Sequence, residues 1–238
     1  MSDELSPQDR AKQAAAVRSL EFVEDGMTIG LGTGSTAAFM VAELGARVAQ
    51  GLTVTGVPTS NRTKAQAEAL GIRLTTLGEA GRLNLTIDGA DEFDDALNLI
   101  KGAGGALLQE KIVAAASDRM VVISDPSKEV ATLGTVFPVP VEVVRFGWDI
   151  TAANVAKALG TADVDRAEVT RRMEGEQPYV TDEGHYLLDC TLGRIGAPAE
   201  LNATLNLIPG VVETGLFCTL ASTVLVGQED GSVRVIGG

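Results

Sequence analysis

Four short segments of this 238-residue chain place polar or charged groups where an apolar run ends. They are Gly32-Thr33-Gly34-Ser35-Thr36, Asp88-Gly89-Ala90-Asp91-Glu92, Lys101-Gly102-Ala103-Gly104-Gly105 and Ser124-Asp125-Pro126-Ser127-Lys128. In an open α/β sheet the strand carboxyl ends converge on one crevice, so groups carried there by separate strands meet in space. With Glu110 following the third segment, they supply a phosphate cradle, paired carboxylates, an ammonium and a candidate base. A phosphorylated sugar requires that set.

The first segment, extended to Ala37, also fits the G-x-G-x-x-G/A pattern of dinucleotide-binding folds. Such folds need an acidic residue about 20 positions on to hold the ribose hydroxyl. No Asp or Glu occurs between Glu43 and Glu68, which disfavours an NAD site and leaves only Arg62 to suit an NADP version. What remains is a turn with backbone N–H groups and three hydroxyls at a helix start, a nest that binds one phosphate. The competing reading is a purely structural turn.

In the acidic loop, Asp94 and Asp95 fit a solvated face, and Asp88 with Asp91 could also hold Mg²⁺ through oxygen ligands. Asp88 differs because it ends the apolar run Leu83-Asn84-Leu85-Thr86-Ile87, where a solvated acid has no need to be. Neighbouring carboxylates oppose one another's ionisation while the Lys101 ammonium favours it, so the pair can offer both an acid and a base. Lys101 opens a glycine-rich loop that lets a ligand approach the backbone; it reads as a charge stabiliser or as a surface charge. Glu110 shares a helix face with Ala103, Ala106, Leu107, Val113 and Ala114. An apolar surround disfavours the ionised carboxylate and makes it a better proton acceptor, as a general base requires. The single histidine, His185, falls in a later module, so carboxylates must move the protons.

The elements that carry these residues follow from hydrophobic periodicity. Residues 9–24 predict an amphipathic helix with Ala14, Val17, Leu20 and Phe22 inward. Strands are expected at 27–31, 52–57, 73–77, 83–87 and 120–124, with helices at 36–48, 61–70 and 105–116. Gly71 is placed to close the second of these helices. This alternation implies βαβ units and a mostly parallel, Rossmann-like sheet. After Phe137-Pro138-Val139-Pro140 the rhythm changes: strand 141–146, helix 152–159, strands 167–173 and 185–192, helix 198–206, strand 211–217. That βαββαβ order predicts a smaller, ferredoxin-like α+β domain. A hairpin, 222–227 with 232–236, returns to the first domain. The domains are therefore expected at 1–135 plus 218–238 and at 136–217.

Composition agrees with a globular protein of 45% hydrophobic residues. No apolar run reaches the ~18 residues of a membrane span, and residues 1–8 are acidic and polar, unlike a secretory leader. A cytoplasmic location without membrane or nucleic-acid partners is expected. Cys190 and Cys218 lack CxxC spacing and read as buried free thiols rather than as a disulfide or zinc site. The charge is −13, from 32 acidic against 19 basic residues, of which only six are Lys. Such a field repels polyanions, so a phosphate ligand must be held by local donors. Two readings of this acidity stand side by side: adaptation to high salt, and an ordinarily acidic cytosolic protein.

These residues resemble the A-type ribose-5-phosphate isomerases over nearly the whole chain. The resemblance rests on Gly32-Thr33-Gly34-Ser35-Thr36, Ile87-Asp88-Gly89-Ala90-Asp91-Glu92, Lys101-Gly102-Ala103-Gly104-Gly105 with Glu110-Lys111, Asp125-Pro126-Ser127-Lys128, and Phe137-Pro138-Val139-Pro140-Val141-Glu142-Val143. Two departures are small: that family commonly reads Lys-Gly-Gly-Gly-Ala at the third segment, and a serine-rich stretch where this chain has Pro58-Thr59-Ser60-Asn61.

The resemblance implies interconversion of ribose 5-phosphate and ribulose 5-phosphate through an enediolate, without metal or cofactor. It implies that Glu110 is the general base, that Asp88 assists ring opening and with Asp91 holds substrate hydroxyls, and that Lys101 stabilises charge on oxygen. Substrate contacts fall by resemblance to Thr33, Gly34, Ser35, Thr36, Asp88, Gly89, Ala90, Asp91, Lys101, Gly102, Ala103, Gly104, Lys128 and Lys12, in a homodimer or homotetramer. Competing readings are a related sugar-phosphate enzyme such as an amino-sugar phosphate deaminase, an NADP-dependent oxidoreductase, and a non-catalytic sugar-phosphate sensor. The deaminase needs a histidine in the crevice, and the sensor has no use for Glu110 or Lys101.

Overall fold

A computed structural model describes residues 5–237; residues 1–4 of the acidic opening stretch, and 238 of the first expected domain, lie outside the described residues. Helix α1 (Pro7–Ser19) starts where the Ser6 hydroxyl accepts the Asp9 N–H and a proline takes the first helical position. Strand β1 (Thr28–Leu31), α2 (Ser35–Ala49), β2 (Thr55–Pro58), α3 (Asn61–Ala69), β3 (Arg73–Leu74), α4 (Leu77–Ala80) and β4 (Leu85–Gly89) follow. Next come β5 (Glu92–Phe93), β6 (Leu99–Ile100), α5 (Leu107–Ala115), β7 (Met120–Ser124), β8 (Val139–Val143) and α6 (Trp148–Leu159). The chain closes with β9 (Glu168–Arg171), β10 (Met173–Glu174), β11 (Gln177–Pro178), β12 (Tyr186–Thr191), α7 (Pro198–Asn206), β13 (Val211–Thr214), β14 (Leu216–Phe217), β15 (Ala221–Gly227) and β16 (Val233–Gly237).

Two compact units result. The first holds the described residues up to Ala90, Gln109–Glu129, and those from Leu220 onward. Its seven-stranded sheet has the order β16-β15-β7-β4-β1-β2-β3. Every pair is parallel except β15 with the edge strand β16. Continuous apolar strands such as β7, buried at all five positions, are what a parallel sheet covered on both faces demands. Leu20, Ile29, Leu31, Met40, Leu44, Ile87, Val121 and Leu225 form its core.

Helix α1 buries a face other than the Ala14 and Val17 side, while Leu20, just past its end, is in the core as expected. Ala11, Ala15, Ala16 and Ser19 are its buried residues, while Val17 is 40% exposed. The cause is close approach: a Cβ on Gly227 would stand 1.9 Å from the Ala11 carbonyl oxygen, so only small side chains fit beneath the helix. The strand expected at 73–77 stops at Leu74, because Thr76 and Glu79 form a capping box that starts α4.

The second unit comprises Asp91–Leu108 and Val130–Thr219. Its antiparallel sheet has the order β13-β8-β12-β9, which within the βαββαβ module is fourth-first-third-second, with α6 and α7 as the crossovers. That is the ferredoxin-like arrangement. Val139, Val141, Val155, Leu188, Leu201 and Leu205 are among its core residues.

Residues 91–108, 130–135 and 218–219, expected in the first domain, cluster with the second. The cause is local pairing: β6 pairs with β14 and with β5, and the Val130 N–H donates to the Phe93 carbonyl at 3.0 Å. The apolar run 211–217 is two strands in two sheets, broken at Gly215, whose Cβ would meet the Lys101 carbonyl at 2.2 Å. Of the two cysteines, Cys190 is buried, with its thiol pushed up to about 12 by burial; Cys218 is half-buried. No helix among the described residues is long and apolar enough to cross a membrane.

Candidate active site

In the first unit, Asp88 sits where β4 runs beside β1 and is fully buried. Its Oδ1 accepts the backbone N–H groups of Thr33 at 3.0 Å and Gly89 at 2.7 Å. A glycine at position 32 is what permits this: a Cβ there would lie 2.2 Å from the same oxygen. Thr33 is turned inward. Its hydroxyl donates to Ser60 Oγ at 2.8 Å and lies 2.8 Å from Thr59 Oγ1 and 3.1 Å from Thr63 Oγ1. Thr59 and Thr63 pass the chain on to the carbonyls of Leu31 and Gly32, and Ser60 caps α3 by accepting the Thr63 N–H.

The Thr33 hydroxyl and N–H therefore shape the turn, while Gly34, Ser35 and Thr36 open α2. Gly34 holds φ at +123° with no atom within 4 Å of where its Cβ would stand; backbone conformation, not space, requires glycine here. Ser35 is exposed and Thr36 half-buried, at a helix start whose orphan N–H groups favour an anion.

Glu110 lies on α5 and is 4% exposed. After β7, the Asp125 carboxylate accepts from the Ser127 N–H and hydroxyl and from Gln8 Nε2, fixing the single turn Pro126–Lys128 that carries half-buried Lys128. Lys12 is on α1, its ammonium 3.4 Å from Asp9.

In the second unit, Asp91 donates its N–H to the Ile100 carbonyl at 2.8 Å and accepts the Ala103 N–H at Oδ2, also at 2.8 Å. Lys101 is 2% exposed; its N–H donates to the Gly215 carbonyl at 2.9 Å, and its ammonium stands 5.6 Å from the centre of the Phe217 ring. Gly102 and Gly105 have φ of +108° and +78°, and a Cβ on Gly105 would meet the Tyr179 hydroxyl at 2.0 Å. The sequence reading missed Tyr179, which falls after a short hairpin with no periodic signal.

The rest of the acidic loop is structural. Glu92 is fully buried and accepts the N–H groups of Gly134, Val136 and Phe137. Asp94, expected to be solvated, accepts the N–H groups of Ala96 and Asn98 and so closes its turn; Asp95 is exposed. His185 Nδ1 is 2.9 Å from the buried Glu142 carboxylate, which also accepts from Thr181. Burial holds the Glu142 carboxyl above its usual range, against the lowering influence of His185 and Thr181. Among the described residues no group of three or more His, Cys, Asp or Glu side chains is arranged to hold a metal ion.

Buried carboxylates in a parallel α/β unit and a buried lysine in a ferredoxin-like one are groups that a sugar-phosphate isomerase would use. The family model described as ribose 5-phosphate isomerase A (phosphoriboisomerase A) matches residues 55–231. The ribose-5-phosphate isomerase A of Ruegeria sp. is 59% identical over 236 residues, covering 99% of this chain and 90% of the relative. Two solved structures also align. The Plasmodium falciparum ribose 5-phosphate isomerase does so at TM-score 0.91 and 34% identity, over 97% of this chain and 99% of that one. A D-ribose-5-phosphate isomerase in complex with phospho-erythronic acid does so at TM-score 0.90 and 35% identity, with the same coverage. The chain belongs to the ribose 5-phosphate isomerase A family.

Proposed function

We propose that the chain interconverts D-ribose 5-phosphate and D-ribulose 5-phosphate with Glu110 as the group that carries the proton between C2 and C1. The carboxylate takes the proton from C2 of the open-chain aldose. The C–H pair becomes the C1–C2 double bond and the carbonyl pair moves onto O1, giving an enediolate. Return of the proton to C1, with a proton passing from O2 to O1, completes the ketose. Asp88 assists opening of the furanose ring and with Asp91 holds substrate hydroxyls. Lys101 stabilises the developing oxygen charge, a task whose loss typically costs ~10²-fold or more.

In this reading the phosphate rests on Gly34, Ser35 and Thr36, with Thr33 shaping their turn and Lys128 and Lys12 adding charge. Gly89, Ala90, Gly102, Ala103 and Gly104 offer backbone contacts. The observation that carries the reading is that Asp88 and Glu110 are 0% and 4% exposed: withdrawing a carboxylate from water is costly, and here it places two of them in an isomerase chain. Following ribulose 5-phosphate formation from ribose 5-phosphate, with and without EDTA, tests it. EDTA-insensitive formation is expected, and absence of the ketose would contradict it.

The resemblance implies a homodimer or homotetramer, the composition suits the cytoplasm, and Phe146 and Ile150, 94% and 65% exposed, are apolar surface that association would cover. Light scattering of the purified protein reads the oligomer. Adaptation to high salt would show as a melting temperature that rises from low to molar KCl, and a flat or falling curve would leave the ordinarily acidic protein.

A further inference from the structure

Within the second unit, the glycine loop that follows Lys101 is held from behind by a side chain that no catalytic motif contains. Arg172 Nη1 donates to the Gly102 carbonyl at 2.8 Å and to the Ala103 carbonyl at 3.1 Å. The rest of its guanidinium is gripped by Asp189, with Nε to Oδ2 at 2.9 Å and Nη2 to Oδ1 at 2.5 Å, the bidentate geometry that a carboxylate offers arginine alone. Its main chain is also fixed. The Arg172 N–H donates to Leu187 and its carbonyl accepts from Tyr179, the residue whose hydroxyl occupies the space beside Gly105.

The peptide joining Gly102 to Ala103 is thereby pinned at both ends, its carbonyl by Arg172 and its N–H by Asp91. A trans peptide points its C=O and N–H in opposite directions, so holding the Ala103 carbonyl on Arg172 turns the Gly104 N–H to the opposite side of the loop. A segment with three glycines in five residues has large backbone freedom, and these bonds restrict it.

We propose that Arg172, oriented by Asp189, is a positioning residue for the isomerisation, setting the peptide planes of Gly102 to Gly104 so that the loop meets the developing oxygen charge in a fixed geometry. This rests on the reading of Lys101 and its loop given above. Misplacement by an ångström is enough to cost ~10²-fold in rate. Arg172→Ala is therefore expected to lose about 10- to 100-fold in kcat with KM little changed. Free guanidinium ion should restore part of the loss, and Arg172→Lys, which keeps a donor without the fork, should fall between. Asp189→Asn should show the same kcat-weighted loss in a smaller degree.

Lys101→Ala is measured alongside, with circular dichroism melts on every variant. Parental kcat in a folded Arg172→Ala, beside an inactive Lys101→Ala, would overturn the Arg172 inference alone. An active Lys101→Ala would overturn the reading of the loop and this inference with it. If Arg172→Ala does not fold, a folded Arg172→Lys or Asp189→Asn with parental kcat would equally overturn it. A loss that appears in KM, or that guanidinium leaves untouched, would reduce Arg172 to a structural tie.

Discussion

Asp88 Oδ1 takes the Thr33 N–H at 3.0 Å, and this bond joins the end of β4 to the turn that opens α2. One carboxylate oxygen thus fixes the turn from Gly32 to Thr36, and its position depends on a glycine two residues before Gly34. Strand pairing brings the partners together: β1 lies beside β4, with Leu31 opposite Ile87, so the turn after one strand and the acid ending the other must be neighbours.

Gly32→Ala is expected to displace Asp88, since the new methyl would stand 2.2 Å from Oδ1. Overpacking of this kind costs about 1–3 kcal/mol, and the shift of a ring-opening acid should lower turnover by ~10²-fold. Paired measurements of melting temperature and kcat check both effects. Unchanged turnover would detach Asp88 from the chemistry.

Gly34→Ala meets no atoms but must hold φ at +123°, a strain of about 1–3 kcal/mol. Relaxing that strain tilts the first turn of α2, and Thr36→Val removes a hydroxyl donor without strain. Both variants should bind substrate more weakly, and inorganic phosphate should lose potency as a competitor against them. Equal competition in parent and variants would move the phosphate to Lys128 or Lys12.

Glu142 gives a pH-dependent prediction. Its carboxyl is held above the ordinary glutamate value of 4.5 by burial, so the folded state binds more protons than the unfolded state in the window that opens at about 4.5. Stability contributed by this group is greatest at low pH and falls as pH rises through that window. His185 and Thr181 oppose the shift and Glu183 adds to it. Glu142→Gln keeps an acceptor for Thr181 and removes the titration. Its melting temperature should gain on the parent as pH rises from about 4.5; a constant difference would contradict the assignment.

Lys101→Ala should lose activity that added Mg²⁺ does not restore, because the ammonium itself is assigned to the oxygen charge. Recovery with Mg²⁺ would transfer that task to an ion held by carboxylates.

Much of this was legible in the chain. Where apolar runs are buried on both faces, as in Met120–Ser124 and Ile87's strand, periodicity and composition suffice, and the βαββαβ order announces the ferredoxin-like unit. Contacts made through small residues or backbone were hidden. Gly227 beneath Ala11 of α1, Gly215 against the Lys101 carbonyl, and the Arg172 grip on two carbonyls each depend on partners 69 or more positions away in sequence or on missing side-chain volume. Two-residue strands such as β5 and β6 are too short to show a period. The inward turn of Thr33 had one local signal, the Ser60 cap with Thr63 three residues on, which marks hydroxyls gathered at one helix start.

The most direct test is turnover of ribose 5-phosphate by Glu110→Gln. The amide keeps the shape and hydrogen bonding of the carboxylate and removes its basicity, so kcat should fall by ~10² or more while substrate still raises the melting temperature of the variant. A Glu110→Gln enzyme that forms ribulose 5-phosphate at near the parental rate would contradict the account at its centre.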